Sequence, residues 1–312
     1  MNPDVSILVP TRNGIATLPG LLDALASQSS RFSFETVAID SGSQDGTVEL
    51  LRDRVDKLVQ IAPESFNHGL TRNIGIGHCR GEFIVMLVQD AEPNSSGWLS
   101  ALVEPLVAAP KLAGTFSRQI PRSDASAMTR HYLSRWVATS TEPRVTYVSS
   151  REAFQRLAPM ERFLSCIFDN VCSCLRRSVW ESVPFKETPI AEDLEWGRDV
   201  LLAGYGLAYV PDAAVVHSHD RSASYEFRRT YFVHQRLRSL FGLATIADLP
   251  SLARAIASTI PIHVKCVAEG GFELFLRELP RALALAVALP LGQYLGVRST
   301  DTHRGWLRPG GV

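Results

Sequence analysis

What this 312-residue sequence has little of narrows its class first. It has five cysteines, an odd number without framework spacing, which excludes a disulfide scaffold and predicts a reducing compartment. Cys172 and Cys174 stand two apart, on one face if the segment is a strand. With no second such pair, the spacing reads as packing rather than metal binding. The C-terminal apolar stretch from Ala282 to Leu291 falls well short of the roughly 20 residues that span a bilayer. Near the start, Asp4 and the short run Val5 to Pro10 leave no room for a secretory core, so a cytoplasmic location is expected. No G-x-x-x-x-G-K-[ST] occurs, which sets aside a P-loop nucleotidase. A formal net charge of zero and the lack of a recognition motif set aside nucleic acid as a partner. Hydrophobic residues at 46% and charged residues at 21% describe a folded chain, not a disordered one.

What is present alternates. Val5 to Val9 is a β-branched apolar run ended by Pro10. Leu18 to Ala26 follows with helical spacing, Leu21, Leu22 and Leu25 on one side. Thr36 to Ile39 predicts a second strand, and Asp45 a cap for a helix from Thr47. Leu58 to Ile61, Leu70 to His78 and Phe83 to Val88 predict a strand, a helix and a fourth strand. This order argues for an α/β fold with a mostly parallel sheet flanked by helices. Each strand end is polar: "PTRNG" after the first, Asp40 after the second, "QDA" after the fourth. In a parallel sheet these ends share one edge, where open α/β folds bind ligands. Thr11, Arg12, Asp40 and Asp90 are therefore expected to converge.

"VSILVPTRNG", "AIDSGSQDGT", "NHGLTRNIG" and "VQDAEP", followed by "AEDLEWGRDVLLAGYGLAYVPDAAVVHSH", resemble in order and spacing the family 2 inverting glycosyltransferases with the GT-A fold. The resemblance covers roughly residues 4 to 220. It implies a glycosyltransferase domain over 1–220, with a nucleotide-sugar half (1–115) and an acceptor half (116–220). The "QDA" and "QYLG" segments resemble most the bacterial rhamnosyltransferases of surface polysaccharide synthesis. The donor implied is dTDP-rhamnose, with another family 2 donor, a UDP-sugar, as the alternative. The acceptor implied is a glycan or a polyprenyl-diphosphate-linked saccharide.

The resemblance also implies roles. Pro10, Thr11, Arg12, Asp40 and position 42, a glycine (Gly42), would line the nucleotide-sugar pocket, with Asp40 toward the pyrimidine. Arg72 would lie beside the base and phosphates, where a guanidinium both stacks and forks. Family members carry D-x-D at the fourth strand end. Val88, Gln89 and Asp90 occupy those positions here, so the ribose contact is lost while the last Asp can still hold Mg²⁺ or Mn²⁺. His217, or His219, would complete the metal site, since imidazole suits Mn²⁺ better than Mg²⁺. Asp193 would be the general base, with Glu192 and Trp196 near the acceptor and Asp169 and Asn170 lining its side. A non-catalytic nucleotide-sugar binder could keep Asp40 and Asp90 and lose the base; the presence of Asp193 favours an enzyme.

Charge divides the chain. Residues 1–220 hold 20 Lys+Arg and 26 Asp+Glu, whereas residues 221–312 hold 12 and 6. That basic, partly apolar extension predicts helices that either meet an anionic membrane peripherally or close a core or a homo-oligomer contact. For the membrane reading, Phe272, Leu274, Phe275, Leu279, Leu283 and Leu285 would face lipid, interleaved with Arg277 and Arg281.

Overall fold

A computed structural model describes residues 2–299. In chain order its elements are β1 (Val5–Thr11), α1 (Leu18–Ala26), β2 (Phe34–Asp40), α2 (Thr47–Arg54), β3 (Lys57–Gln60), α3 (His68–His78), β4 (Phe83–Leu87), β5 (Glu92–Pro93), α4 (Trp98–Ala108) and β6 (Leu112–Ile120). These are followed by α5 (Ala127–Leu133), β7 (Arg144–Thr146), α6 (Arg151–Arg156), α7 (Pro159–Ser165), β8 (Cys172–Arg176), α8 (Arg177–Ser182), α9 (Glu192–Leu202), β9 (Gly206–Val216), α10 (Ala223–Phe241), α11 (Leu249–Ala268) and α12 (Phe272–Arg298). The chain divides into two compact units.

The first unit, residues 1–120, 137–157 and 164–217, holds a sheet of order β3-β2-β1-β4-β8-β6-β9-β5, with β7 paired to β9. β3, β2, β1 and β4 run parallel, as expected from the strand–helix alternation. β8 is antiparallel between β4 and β6, while β6 and β9 are parallel again. The middle strands are buried on both faces, which is why Ile7 to Val9 and Phe83 to Leu87 are unbroken apolar runs; Ser6, also buried, is satisfied by Glu35. α1 buries Leu18, Leu21, Leu22 and Leu25, one helical face, against this sheet. Cys172 and Cys174 both lie in that core. Burial pushes the Cys172 thiol up to about 12, so it remains an inert packing group.

The second unit, residues 121–136, 158–163 and 218–312, is helical among its described residues. α10, α11 and α12 pack together, with Met128 of α5, Val267, Ala282 and Leu285 in their core. Gly292 and Gly296 sit where a Cβ would strike the carbonyls of Phe227 and Tyr231, so α12 lies directly on the α10 backbone. No described helix is long and apolar enough to cross a membrane. The set proposed for lipid divides: Leu285 is buried, and Phe275 and Leu279 pack on the core. Phe272 and Leu283 of that set do lie on the solvent side of α12, joined there by Leu276 and Val287. Residues 300–312 of the extension lie outside the described residues.

Candidate active site

At the carboxyl ends of β1, β2 and β4, loop atoms are tied into one framework. Asp40 ends β2 fully buried and accepts four hydrogen bonds. Thr11 Oγ1 (3.0 Å) and Ser43 Oγ (2.5 Å) reach Oδ1, and the Gly42 and Ser43 amides reach Oδ2 at 3.0 and 2.9 Å. Gly42 has φ of +80°, and a Cβ there would strike Pro63, so the turn needs glycine. Gln89 bridges two strand ends. Its Oε1 accepts from the Arg12 amide at 2.9 Å and its Nε2 donates to the Arg12 carbonyl at 3.1 Å. Pro10 is half-buried and Arg12 exposed. Asp45 Oδ1 accepts from the Thr47 amide and hydroxyl, but the N-cap of α2 is Gly46, at positive φ, so Asp45 sits one residue before the cap expected of it.

A second cluster gathers at the N-terminus of α9. Ala191 precedes the helix at φ +61°, a strained conformation for a residue with a Cβ. Glu192 is 5% exposed and pairs with Arg72 of α3 at 3.0 Å. Asn170 Nδ2 donates to Glu192 Oε1, and the Asn170 amide donates to Asp193 Oδ2. Burial works against the charge on Glu192. The Arg72 guanidinium, His68 and the Asn170 amide outweigh it and hold the carboxyl below its usual range. At Asp193 the balance falls the other way. Burial first, then the charges of Glu192 and Asp169, push it up to about 8, against the Leu194 and Asn170 amides. One buried carboxyl is thus kept ionised while its neighbour grips a proton.

The third group lies between β4 and β9. Asp90 follows β4, and His217 follows β9 with its amide bonded to the Ile120 carbonyl. His217 Nε2 lies 3.7 Å from Asp90 Oδ1. That is too long for a hydrogen bond. It is compatible with two ligands sharing one ion, since atoms each about 2.1 Å from a cation, at right angles or wider, lie roughly 3.0–4.2 Å apart. One carboxylate oxygen and one imidazole nitrogen are a donor set for Mn²⁺ or Mg²⁺, with softer imidazole favouring Mn²⁺. His219 belongs to the second unit. There it lines a cavity of about 270 Å³ with Arg122, Asp124, Ser218, Asp220 and Arg221.

Residues 6–182, more than half of the chain, match the family model described as glycosyl transferase family 2. The chain belongs to that family. A second model, glycosyl transferase family group 2, matches residues 107–295. Among curated relatives, the O-antigen chain rhamnosyltransferase RfbN of Salmonella typhimurium is 33% identical over 232 residues, covering 73% of this chain and 70% of that protein. The O-antigen chain rhamnosyltransferase WbaN of Salmonella anatum is 32% identical over 234 residues, covering 74% and 70%. Among solved structures, the mannosyltransferase PcManGT of Pyrobaculum calidifontis, in complex with GDP-Man and Mn²⁺, superposes with a TM-score of 0.59 at 20% identity, covering 92% of this chain and 86% of that one. Its likeness establishes the GT-A fold. The resemblance to family 2 glycosyltransferases, and among them to rhamnosyltransferases, therefore holds, as does the mostly parallel α/β architecture with C-terminal helices.

The structure brings Thr11, Asp40 and Gly42 into one framework, and Arg72, Glu192, Asp193, Asp169 and Asn170 into another. Arg72 is buried against Glu192 and anchored to the His68 carbonyl. Trp196 is 2% exposed and packs at tilted angles against Phe168 and Phe185, where it anchors α9 in the core. Sequence reasoning missed Gln119. In "LAGTFSRQI" it is one of several polar residues before the last strand position, and its place depends on the shift in register between β6 and β9.

Proposed function

We propose that this family 2 enzyme is an inverting, metal-dependent transferase moving L-rhamnose from dTDP-rhamnose to a hydroxyl of a lipid-linked saccharide in surface polysaccharide synthesis. The observation that carries the chemistry is Asp193, a carboxyl poised near pH 8 at the buried start of α9. A base works best with a pKa near the working pH. The O-antigen rhamnosyltransferase names of two relatives support the sugar. The same residues would host a different donor only through other pocket-wall side chains.

In this reading the acceptor O–H gives its proton to Asp193 as its oxygen attacks the anomeric carbon from the face opposite the diphosphate. The new C–O bond forms while the bond to the diphosphate oxygen breaks, its electron pair leaving with the nucleoside diphosphate. One displacement inverts the anomeric configuration. Glu192, neutralised by Arg72, stays ionised and keeps Asp193 basic through its charge. Pro10, Thr11, Arg12 and Gly42 form the nucleotide wall, with Asp40 holding the wall in shape through Thr11 and Ser43. Asp90 and His217 would hold a divalent cation, Mn²⁺ or Mg²⁺. When bound, that cation offsets the charge building on the departing diphosphate.

The donor is tested by screening dTDP-rhamnose against UDP-linked sugars, with and without Mn²⁺, for binding and for slow hydrolysis. The expected result is Mn²⁺-dependent binding and leakage of dTDP-rhamnose alone. Preference for a UDP-sugar removes the rhamnose assignment, and binding without any hydrolysis removes the enzyme reading.

We further propose a peripheral contact with an anionic membrane through the second unit. Its support is the apolar solvent side of α12, where Phe272 is 75% exposed, together with the exposed Arg254 and Lys265 of α11 and Arg277 of α12.

A further inference from the structure

β6 and β9 run parallel, but their register shifts between Ser117 and Gln119. Such a bulge re-aims side chains. Beyond it Gln119 pairs with Val215, two residues before His217 and therefore on the same face of the sheet. Gln119 is 7% exposed. Its Nε2 donates to Asp169 Oδ2 at 2.6 Å, and its Oε1 lies 3.0 Å from His217 Nδ1.

These contacts fix a direction. An ionised carboxylate only accepts hydrogen bonds, so the Gln119 amide must turn its NH₂ toward Asp169. The flipped amide would set oxygen against oxygen. Only the carbonyl is then left for the imidazole, and a carbonyl requires a donor. His217 Nδ1 must carry the proton, which puts the lone pair of the neutral ring on Nε2, the nitrogen 3.7 Å from Asp90.

We propose that Gln119 is a positioning residue: with Asp169 behind it, it selects the His217 tautomer whose Nε2 can ligate a divalent cation beside Asp90. The proposal rests on the reading that Asp90 and His217 share such a cation. Metal-bound imidazoles commonly have the other ring nitrogen held in this way, and loss of such a partner weakens affinity about 10–100-fold. The same Asp169 bears on Asp193 through its charge, so one carboxylate serves both the metal ligand and the proposed base.

Two readouts on the full chain separate the inference from the reading beneath it. The first is ring ¹⁵N chemical shifts of His217 in the metal-free protein, which need no variant. A protonated Nδ1 is expected, and a protonated Nε2 overturns the proposal whatever the metal does. The second is the Mn²⁺ dissociation constant, measured by titration rather than turnover. Gln119→Leu should weaken it at least tenfold, and should give a tautomer mixture. Asp169→Asn keeps the volume but lets the amide turn over. It should move both readouts in the same direction by less, and it carries the test if the leucine variant does not fold. Unchanged Mn²⁺ affinity in both variants overturns the positioning role. Unchanged affinity in Asp90→Ala instead removes the shared-cation reading, and this proposal with it.

Discussion

Asp193 costs this protein stability at the pH where it is proposed to work. Its folded pKa of about 8 exceeds the usual 3.8, so the native state holds a proton that the unfolded chain releases. Stability from this group is greatest below the unfolded value and is lost as pH climbs toward 8. Asp193→Asn keeps an oxygen for the Leu194 amide and removes the buried charge beside Glu192 and Asp169. The variant should therefore melt higher than wild type at pH 8, by more than about 2 °C, with the gap closing toward pH 4. Equal melting temperatures across that range would mean that Asp193 is not held as described. Stabilisation on removing the base is the usual mark of a strained active site, and Ala191 at positive φ just before it points the same way.

Elements explain what the sequence could and could not reveal. α1 was readable to the residue because one leucine face repeats at helical spacing, and β1 and β4 were recognisable because buried parallel strands are predominantly apolar. Parallel pairing predicted that Thr11, Arg12, Asp40 and Asp90 converge; Thr11 does bond Asp40, while Arg12 bonds Gln89, the residue before Asp90. β8 was not placeable: its antiparallel insertion between β4 and β6 is a long-range choice that no local pattern encodes. Nor was Gln119, whose role depends on a register shift between two strands. On α12 the apolar positions are too many for periodicity to tell the core side from the solvent side. There "QYLG" has a mechanical meaning, because Gly296 seats α12 on the carbonyl of Tyr231. Gly296→Ala should cost about 1–3 kcal/mol by overpacking and lower the melting temperature by several degrees. Gly77→Ala, at an exposed position of α3 with nothing within 4 Å of the added Cβ, should raise it slightly. Equal effects of the two would mean that the close helix contact is absent.

At the scale of the whole molecule, the sheet unit carries the proposed transfer site, and the helical unit, with its exposed apolar side, carries the proposed membrane contact. The excess of 12 basic over 6 acidic residues in 221–312 should make vesicle binding salt-sensitive, each basic group near an anionic surface contributing about 1 kcal/mol. Phe272→Ser with Leu276→Ser, both on the solvent side of α12, should weaken binding to anionic vesicles at low salt without changing the melting temperature. A full chain that stays in the supernatant with such vesicles would make that surface a protein contact instead. The central claim, that Asp193 takes the acceptor proton, is tested most directly by kcat/KM for transfer from dTDP-rhamnose with Mn²⁺, followed against pH in wild type and Asp193→Asn alongside donor affinity. The account predicts a wild-type profile rising through about pH 8, as the free enzyme's base loses its proton. It predicts a variant slower by about 10²–10⁴-fold, with no such limb and donor affinity within about twofold. A variant within tenfold of wild type, or one that loses donor binding in step with turnover, would contradict it.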